Sequence, residues 1–515
     1  MNIARTVCAI KHTSFGKNVV RKFRISSANY ESSQATQPQV KEETFNFEDL
    51  KTVERTERRK EKIQPFMKDV FVSVFNRDLL AFPEILNKDE SEALDQRVNI
   101  LEKVFTDPEK SKSDRKEALK RIGLYGAPVK LTNGGLAMNM TESIRYLETV
   151  GLDLELGQQI SDHWVALEAL KVGFSEENFQ KIVDDLISGE NPIGLCIKEK
   201  LAERISQADF RTTAELDSRG IWRISGEKIC FNQGGYYLVL SAVEADRLKA
   251  FLVHPNAEGI TCDESCVTFL KTPGTPLDQC TEQQIAQTLG LSRLQTATLC
   301  RRALHSVLKH TEVFVHSRAL VGKPLAEMPT IRSVIGDTLL DLYASESAEY
   351  FTAGLLDGYM EPDAEVEVAM CRNFIGNRSL SAALNLLAIP SLEMPQETAV
   401  LLNNMRELVL RGETLPTTVS MFIALNGIHH AGKLMADEVK QIRNPLFHPT
   451  FIFRKVIANR HQERDDPKLD LYLAEHLHPS LKSHAEQLEY CVLRMKFASE
   501  TLLSRHGVDI GTACT

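Results

Sequence analysis

A chain of 515 residues, 43% hydrophobic and 25% charged with net charge −9, is long enough for roughly two to four domains with substantial cores. Weak overall acidity excludes a protein built to bind nucleic acid, which would carry a basic face, and no apolar run reaches the about 18 residues of a transmembrane helix. The ten cysteines are scattered. Cys262 and Cys266, the nearest pair, lack a second pair or a His-x3-His to complete a zinc site, so reduced thiols and no metal site are expected.

Residues 1–25 hold Arg5, Lys11, Lys17, Arg21, Lys22 and Arg24 but no acid, with hydroxyl and small apolar residues between. That is the composition of a mitochondrial transit peptide, and Arg24-Ile25-Ser26-Ser27 is a plausible processing point. Residues 26–64 form a charged linker ending in the run Glu54–Lys62. From Pro65 the period turns helical, with Phe66, Val70, Phe71, Val74 and Phe75 in one pattern and Leu94, Val98, Leu101 and Val104 in the next. Asn133-Gly-Gly135 interrupts the chain before further helices, giving an N-terminal helical domain over 65–190. Over 191–275 short apolar runs such as Ile229–Phe231, Tyr236–Val243 and Ala250–Val253 alternate with turns, predicting a small antiparallel β-domain. The stripe Ile331, Val334, Ile335, Leu339, Leu342 marks the return of helices, read as a four-helix bundle over 276–437. Residues 438–515 are more polar and proline-punctuated, a helical extension. The fold class is α+β.

Six stretches carry a resemblance. Leu119–Gly126 with Asn133–Leu136, Ile224–Gly235, Tyr350–Asp357, Ile423–Lys433, Leu477–Leu481 and Glu500–Gly507 resemble segments of the acyl-CoA dehydrogenase family. The resemblance implies FAD as cofactor, a homodimer, and oxidation of an acyl-CoA to a trans-2-enoyl-CoA. In that reaction a Glu abstracts the α-proton while a hydride leaves to the flavin. The last four stretches are most similar to a branch of the family that assembles respiratory complex I with ECSIT and the complex I intermediate-associated protein. This implies a scaffold in the mitochondrial matrix, associated with the inner membrane.

The departures lie at the flavin. In the family a strand Trp packs on the flavin ring and the Thr after it hydrogen-bonds the reactive edge. The stretch Lys228-Ile-Cys-Phe-Asn-Gln-Gly-Gly-Tyr236 has Cys230 and Asn232 at those positions. The loop T-E-P-x-x-G-S-D is replaced by Lys198–Ile205, which retains only Glu199. The Arg that reaches the pyrophosphate of the partner subunit's FAD survives as Arg318, followed by Leu320 and Val321, and Q-x-x-G-G becomes Asn385–Ile389. Cofactor-binding candidates are therefore Arg318, Asn232 and Gln233. Counting back from Phe422–Gly427 puts Glu413 at the place of the catalytic base, although its neighbours do not match and an exposed loop carboxylate is the plainer reading. Arg293 is expected in a structural salt bridge. His429 and His430 point about 100° apart on a helix and are read as a packing feature. Loss of several buried donors costs several kcal/mol of cofactor binding. The expectation is a scaffold that has lost redox chemistry, the alternative an FAD-dependent dehydrogenase with Glu413 as base. Phe451, Phe453, Val456 and Ile457 beside Arg454, Lys455 and Arg460 suit an anionic-lipid interface, a partner groove, or a short helix packed on its own bundle.

Overall fold

The computed structural model describes residues 60–507 except 63–64, 81–83, 200–210, 231, 244–246, 264–265, 391–392, 394–395, 411–415 and 461–466. The expected transit peptide, most of the linker and Glu413 lie outside the described residues. Helix α1 (Phe66–Val70) is shorter than its apolar pattern suggests. Ser73 adopts φ 62 and turns the chain, so that the Phe71 ring fills the space a side chain would need at Gly427. Helices α2 (Lys88–Thr106), α3 (Lys112–Ile122) and α4 (Met140–Val150) each begin on a capping box, from Asn87, Ser111 and Asn139. Then come α5 (Leu154–Gly173), buried along almost its whole length, and the amphipathic α6 (Glu176–Ile187).

A three-residue strand, β1 (Lys60–Lys62), pairs in parallel with Tyr359–Glu361. The central sheet contains β2 (Gly194–Cys196), β3 (Thr213–Leu216), β4 (Trp222–Ile229), β5 (Tyr237–Val243), β6 (Arg247–Val253), β7 (Ile260–Asp263) and β8 (Cys266–Pro276). The pairings β5–β3–β4–β8–β6–β5 close a ring, and Ile224, Tyr237, Val239, Phe251, Val267 and Phe269 fill it. The sheet is not wholly antiparallel as expected. β2 runs parallel to β5 in the register Gly194↔Tyr237 and Cys196↔Val239, and β3 meets β5 in parallel at Thr213↔Ala242. A parallel neighbour requires a long crossover, and residues 197–236 supply one.

The C-terminal helices are α7 (Glu282–Gly290), α8 (Ser292–Ser317), α9 (Pro329–Asp357), α10 (Glu365–Leu387), α11 (Gln396–Leu410) and α12 (Pro416–Leu434). The extension adds α13 (Ala436–Arg443), α14 (Pro449–Arg460) and α15 (Lys482–His506). One apolar core runs from the N-terminal helices into the bundle, through Val98, Leu147, Leu299, Leu304, Ile375 and Met405. A second joins α5 and α6 to the barrel through Leu167, Leu170, Val183, Leu238 and Leu252. Helix α5 is thus the shared wall. Leu299 of α8 sits where a Cβ on Gly157 would come within 2.6 Å of it, and Ser161 donates to Gln295 across the same seam at 2.6 Å.

Candidate functional site

The turn after β4 occupies the place where the family resemblance puts the flavin edge. Gly234 has φ 87, which favours glycine. A Cβ on Gly235 would fall onto the Pro192 carbonyl oxygen, so its smallness serves the approach of another strand. Asn232 is 3% exposed and donates through Nδ2 to the carbonyls of Gln159 (2.7 Å) and Ile193 (3.0 Å). The Cys230 thiol is buried and donates to the Asn232 carbonyl at 3.2 Å. Gln233 donates to the Asp263 carbonyl at 2.6 Å. The side chains expected to face a cofactor therefore fasten the turn to α5, to the residue before β2 and to β7.

The anchoring continues one layer down. The Ile193 N–H donates to His163 Nδ1 at 2.9 Å, and His163 Nε2 lies 3.1 Å from the Tyr125 carbonyl, which fixes the Nε2–H tautomer. Burial holds this imidazole neutral, its pKa pushed down to about 4. Replacing Asn232 with alanine should cost about 1–3 kcal/mol in urea unfolding, because two buried carbonyls lose their donor. An unchanged midpoint would mean that the turn is held by other groups.

Glu199 has a structural partner. Its carboxylate accepts from the N–H groups of Arg211 and Thr212 at 2.8 Å each and from Lys228 Nζ at 3.0 Å. Lys228, fully buried, also donates to the Ile197 carbonyl at 3.0 Å. Burial pushes the Lys228 ammonium down to about 8 against the pull of Glu199. Burial also raises the Glu199 carboxyl, but Lys228 and the two N–H groups outweigh it and hold it below its ordinary range. The pair ties Glu199 and the backbone of Arg211 and Thr212 to Lys228 of β4.

Arg318 is exposed, paired with Glu393, and lies 5.9 Å over the Phe314 ring. Arg293 stacks 4.1 Å over the ring of Phe422 in a cation–π contact. His430 Nε2 meets Asp69 Oδ1 at 2.7 Å, and no group of His, Cys, Asp and Glu among the described residues could hold a metal. A cleft of about 470 Å³ opens beside Gly234 and Tyr236, with Asp185 on its wall and no Lys or Arg lining it. Pyrophosphate is seated by cations and N–H donors, and this cleft supplies no cation. The described residues lining this cleft offer a pyrophosphate no lysine or arginine.

One cluster was not anticipated. Arg301 of α8 donates to Glu349 of α9 (2.6 Å) and to Glu148 of α4. Arg145 reaches Glu148 at 3.0 Å and Asp95 at 3.4 Å, Tyr350 donates to Glu148 at 3.0 Å, and Thr298 donates to Glu349. Burial raises Glu148, but Arg301 and Arg145 prevail and hold it at about 2. Burial lifts Glu349 above the carboxylate range and lifts neighbouring Glu346 to about 7, Arg301 opposing in both cases. The only sequence signal was a set of charges inside strongly apolar helices.

Residues 283–389 match the family described as "Acyl-CoA dehydrogenase, C-terminal domain". The very long-chain specific acyl-CoA dehydrogenase of Rattus norvegicus, a mitochondrial protein, is 20% identical over 92% of this chain and 78% of its own length. A probable acyl-CoA dehydrogenase of Bacillus subtilis is 25% identical over 46% of this chain and 44% of its own. Among solved structures, glutaryl-CoA dehydrogenase from Mycobacterium smegmatis aligns with TM-score 0.58 at 15% identity, over 70% of this chain and 97% of that one. PigA with FAD and proline aligns with TM-score 0.55 at 16% identity, over 66% and 97%. The chain thus carries, over residues 283–389, a match to the C-terminal domain of acyl-CoA dehydrogenases, set in a fold similar to that of glutaryl-CoA dehydrogenase.

Proposed function

We propose that this chain is a mitochondrial acyl-CoA dehydrogenase homologue that has exchanged flavin chemistry for a scaffolding role in complex I assembly. The observation that carries it is the commitment of Asn232, Cys230, Gln233 and Arg318 to partners within the protein. The stretches Tyr350–Asp357, Ile423–Lys433, Leu477–Leu481 and Glu500–Gly507 support the assembly branch, with ECSIT and the complex I intermediate-associated protein as partners of a homodimer in the matrix. The mitochondrial relatives and the basic, acid-free residues 1–25 support the compartment. Purified protein, denatured to release any flavin, should yield well under one FAD per chain. A stoichiometric yield would instead favour the dehydrogenase, with Glu413 as base and Arg318 at the cofactor.

A membrane contact is part of this reading. No helix among the described residues is long and apolar enough to cross a bilayer, so contact would be peripheral. Leu446 and Phe447 are more than four-fifths exposed and Phe453 more than two-thirds, whereas Phe451 is half-buried beneath Lys455. The lipid-facing groups are therefore Leu446, Phe447, Phe453, Val456 and Ile457, beside Arg454. Phe447→Asp with Phe453→Asp should reduce co-sedimentation with cardiolipin-containing vesicles by about ten-fold or more while the Tm stays put. Equal sedimentation of the variant would remove the membrane from the proposal.

A further inference from the structure

The cleft beside Gly234 and Tyr236 lies between the end of α6 and the barrel. Its volume of about 470 Å³ is that of a small-molecule site. From α6 it takes Asp185. Asn191 donates to this carboxylate at 3.0 Å, and the Tyr236 hydroxyl donates to it as well. Burial and that bond push the Tyr236 pKa up to about 12, so the hydroxyl stays a donor. The barrel contributes the apolar groups Ile221, Pro255 and Pro273, and the ring of His254 lies 5.1 Å from that of Tyr236.

Two independent features make this cleft favour positive charge. The first is the partnering of Asp185. Both of its donors are neutral, and among the described residues no Lys or Arg pairs with it or lines the cleft. The buried carboxylates of Glu148, Glu199 and Glu349 each meet a cation instead. A carboxylate accepts about four hydrogen bonds, so two donors leave room for more. The second is the position of Asp185 in the last turn of α6. There the free carbonyls carry partial negative charge, which a cation relieves and a carboxylate worsens. That turn holds Asp184 and Asp185 and no basic residue.

We propose that the cleft binds an organic cation, an ammonium group on a short apolar stem. The ammonium donates to the Asp185 carboxylate, and the stem lies along Tyr236, Ile221, Pro255 and Pro273. An anion of the same shape is repelled by the same charges, and a neutral alcohol gains only the contact of its stem. Asn232, Cys230, Gln233 and Arg318 do not line this cleft, so the site holds whether or not the protein binds flavin.

The test uses full-length protein and three probes of one shape, benzylammonium, benzyl alcohol and benzoate. In ligand-observed NMR titrations benzylammonium should bind saturably, with a Kd of about 1 mM or better. Benzyl alcohol should bind about ten-fold or more weakly, and benzoate not saturably. Asp185→Asn keeps an oxygen for Asn191 and Tyr236 but loses the charge. It should lower benzylammonium to the affinity of the alcohol without lowering the Tm. A benzylamine carrying a trifluoromethyl diazirine, irradiated with the unmutated protein, should insert at Ile221, His254–Ala257 or Pro273–Thr275, and excess benzylammonium should prevent it. Equal binding of amine and alcohol, insertion elsewhere, or an unchanged preference in Asp185→Asn would overturn the proposal. Should that variant unfold, the charge series and the labelled peptides of the unmutated protein decide. A free amine and a lysine side chain share this chemistry. Tighter binding of a lysine capped at both ends than of benzylammonium would assign the site to a partner's side chain, and weaker binding to a free amine.

Discussion

Arg301→Met should destabilise the protein by about 3–5 kcal/mol, the usual cost of stripping one partner from a buried ion pair. Arg301 is the cation common to Glu148 and Glu349, and Glu349 is fully buried. Without the guanidinium, two carboxylates from different helices face each other, with Arg145 and Arg302 left near Glu148. Each must then take up a proton or admit water. Because α4 belongs to the N-terminal layer and α8 and α9 to the bundle, the loss should appear as one cooperative shift in urea unfolding. Adding Glu349→Gln to Arg301→Met should recover part of the loss, since the second change removes the charge that the first leaves unpaired. A loss below about 1 kcal/mol would show that the cluster is screened as surface pairs are.

Glu346→Gln should do the opposite, and only at high pH. Burial raises the Glu346 carboxyl from 4.5 to about 7 in the folded protein, against Arg301 and with help from Glu148 and Glu349. The folded state therefore holds its proton more tightly than the unfolded chain does. That stabilisation is complete below about pH 4.5, declines as the pH rises through about 7, and is absent above. At 1.36 kcal/mol per pKa unit, the difference amounts to about 3 kcal/mol. An uncharged amide removes this dependence. The variant should match the unmutated protein near pH 4 and exceed it by about 3 kcal/mol at pH 8.5. Parallel stability curves across that range would place the titrating proton elsewhere.

Helices, a β-domain, a bundle and an extension were legible because the apolar period changes from 3.6 to 2 and back. The resemblance placed the turn after β4 correctly along the chain. What Cys230 and Asn232 do there was not legible, because their partners, Gln159 and Ile193 among them, come from other elements. Glu199 looked like a remnant of a lost loop until its Lys228 partner was seen. The charged cluster was hidden for a simple reason: Arg301, Glu346 and Glu349 within a helical pattern read as solvated surface unless three helices are known to converge on them. The run Phe66–Phe75 misled in the other direction, since a periodic apolar pattern does not reveal that Ser73 reverses the chain.

The early segment around α1 has its partners at the far end of the chain. Met67 donates its N–H to Glu367, Lys68 pairs with Asp363, and the Ser73 hydroxyl donates to the carbonyls of Val492 and Leu493. These last contacts span 419 and 420 positions of sequence. Folding of this unit therefore waits on a loop closure of more than 400 residues, whose entropy must be met before the contacts form. A chain still being synthesised or threaded through a pore leaves Phe71 and α15 without each other. The exposed surfaces of that half-finished state are the ones a chaperone would have to cover.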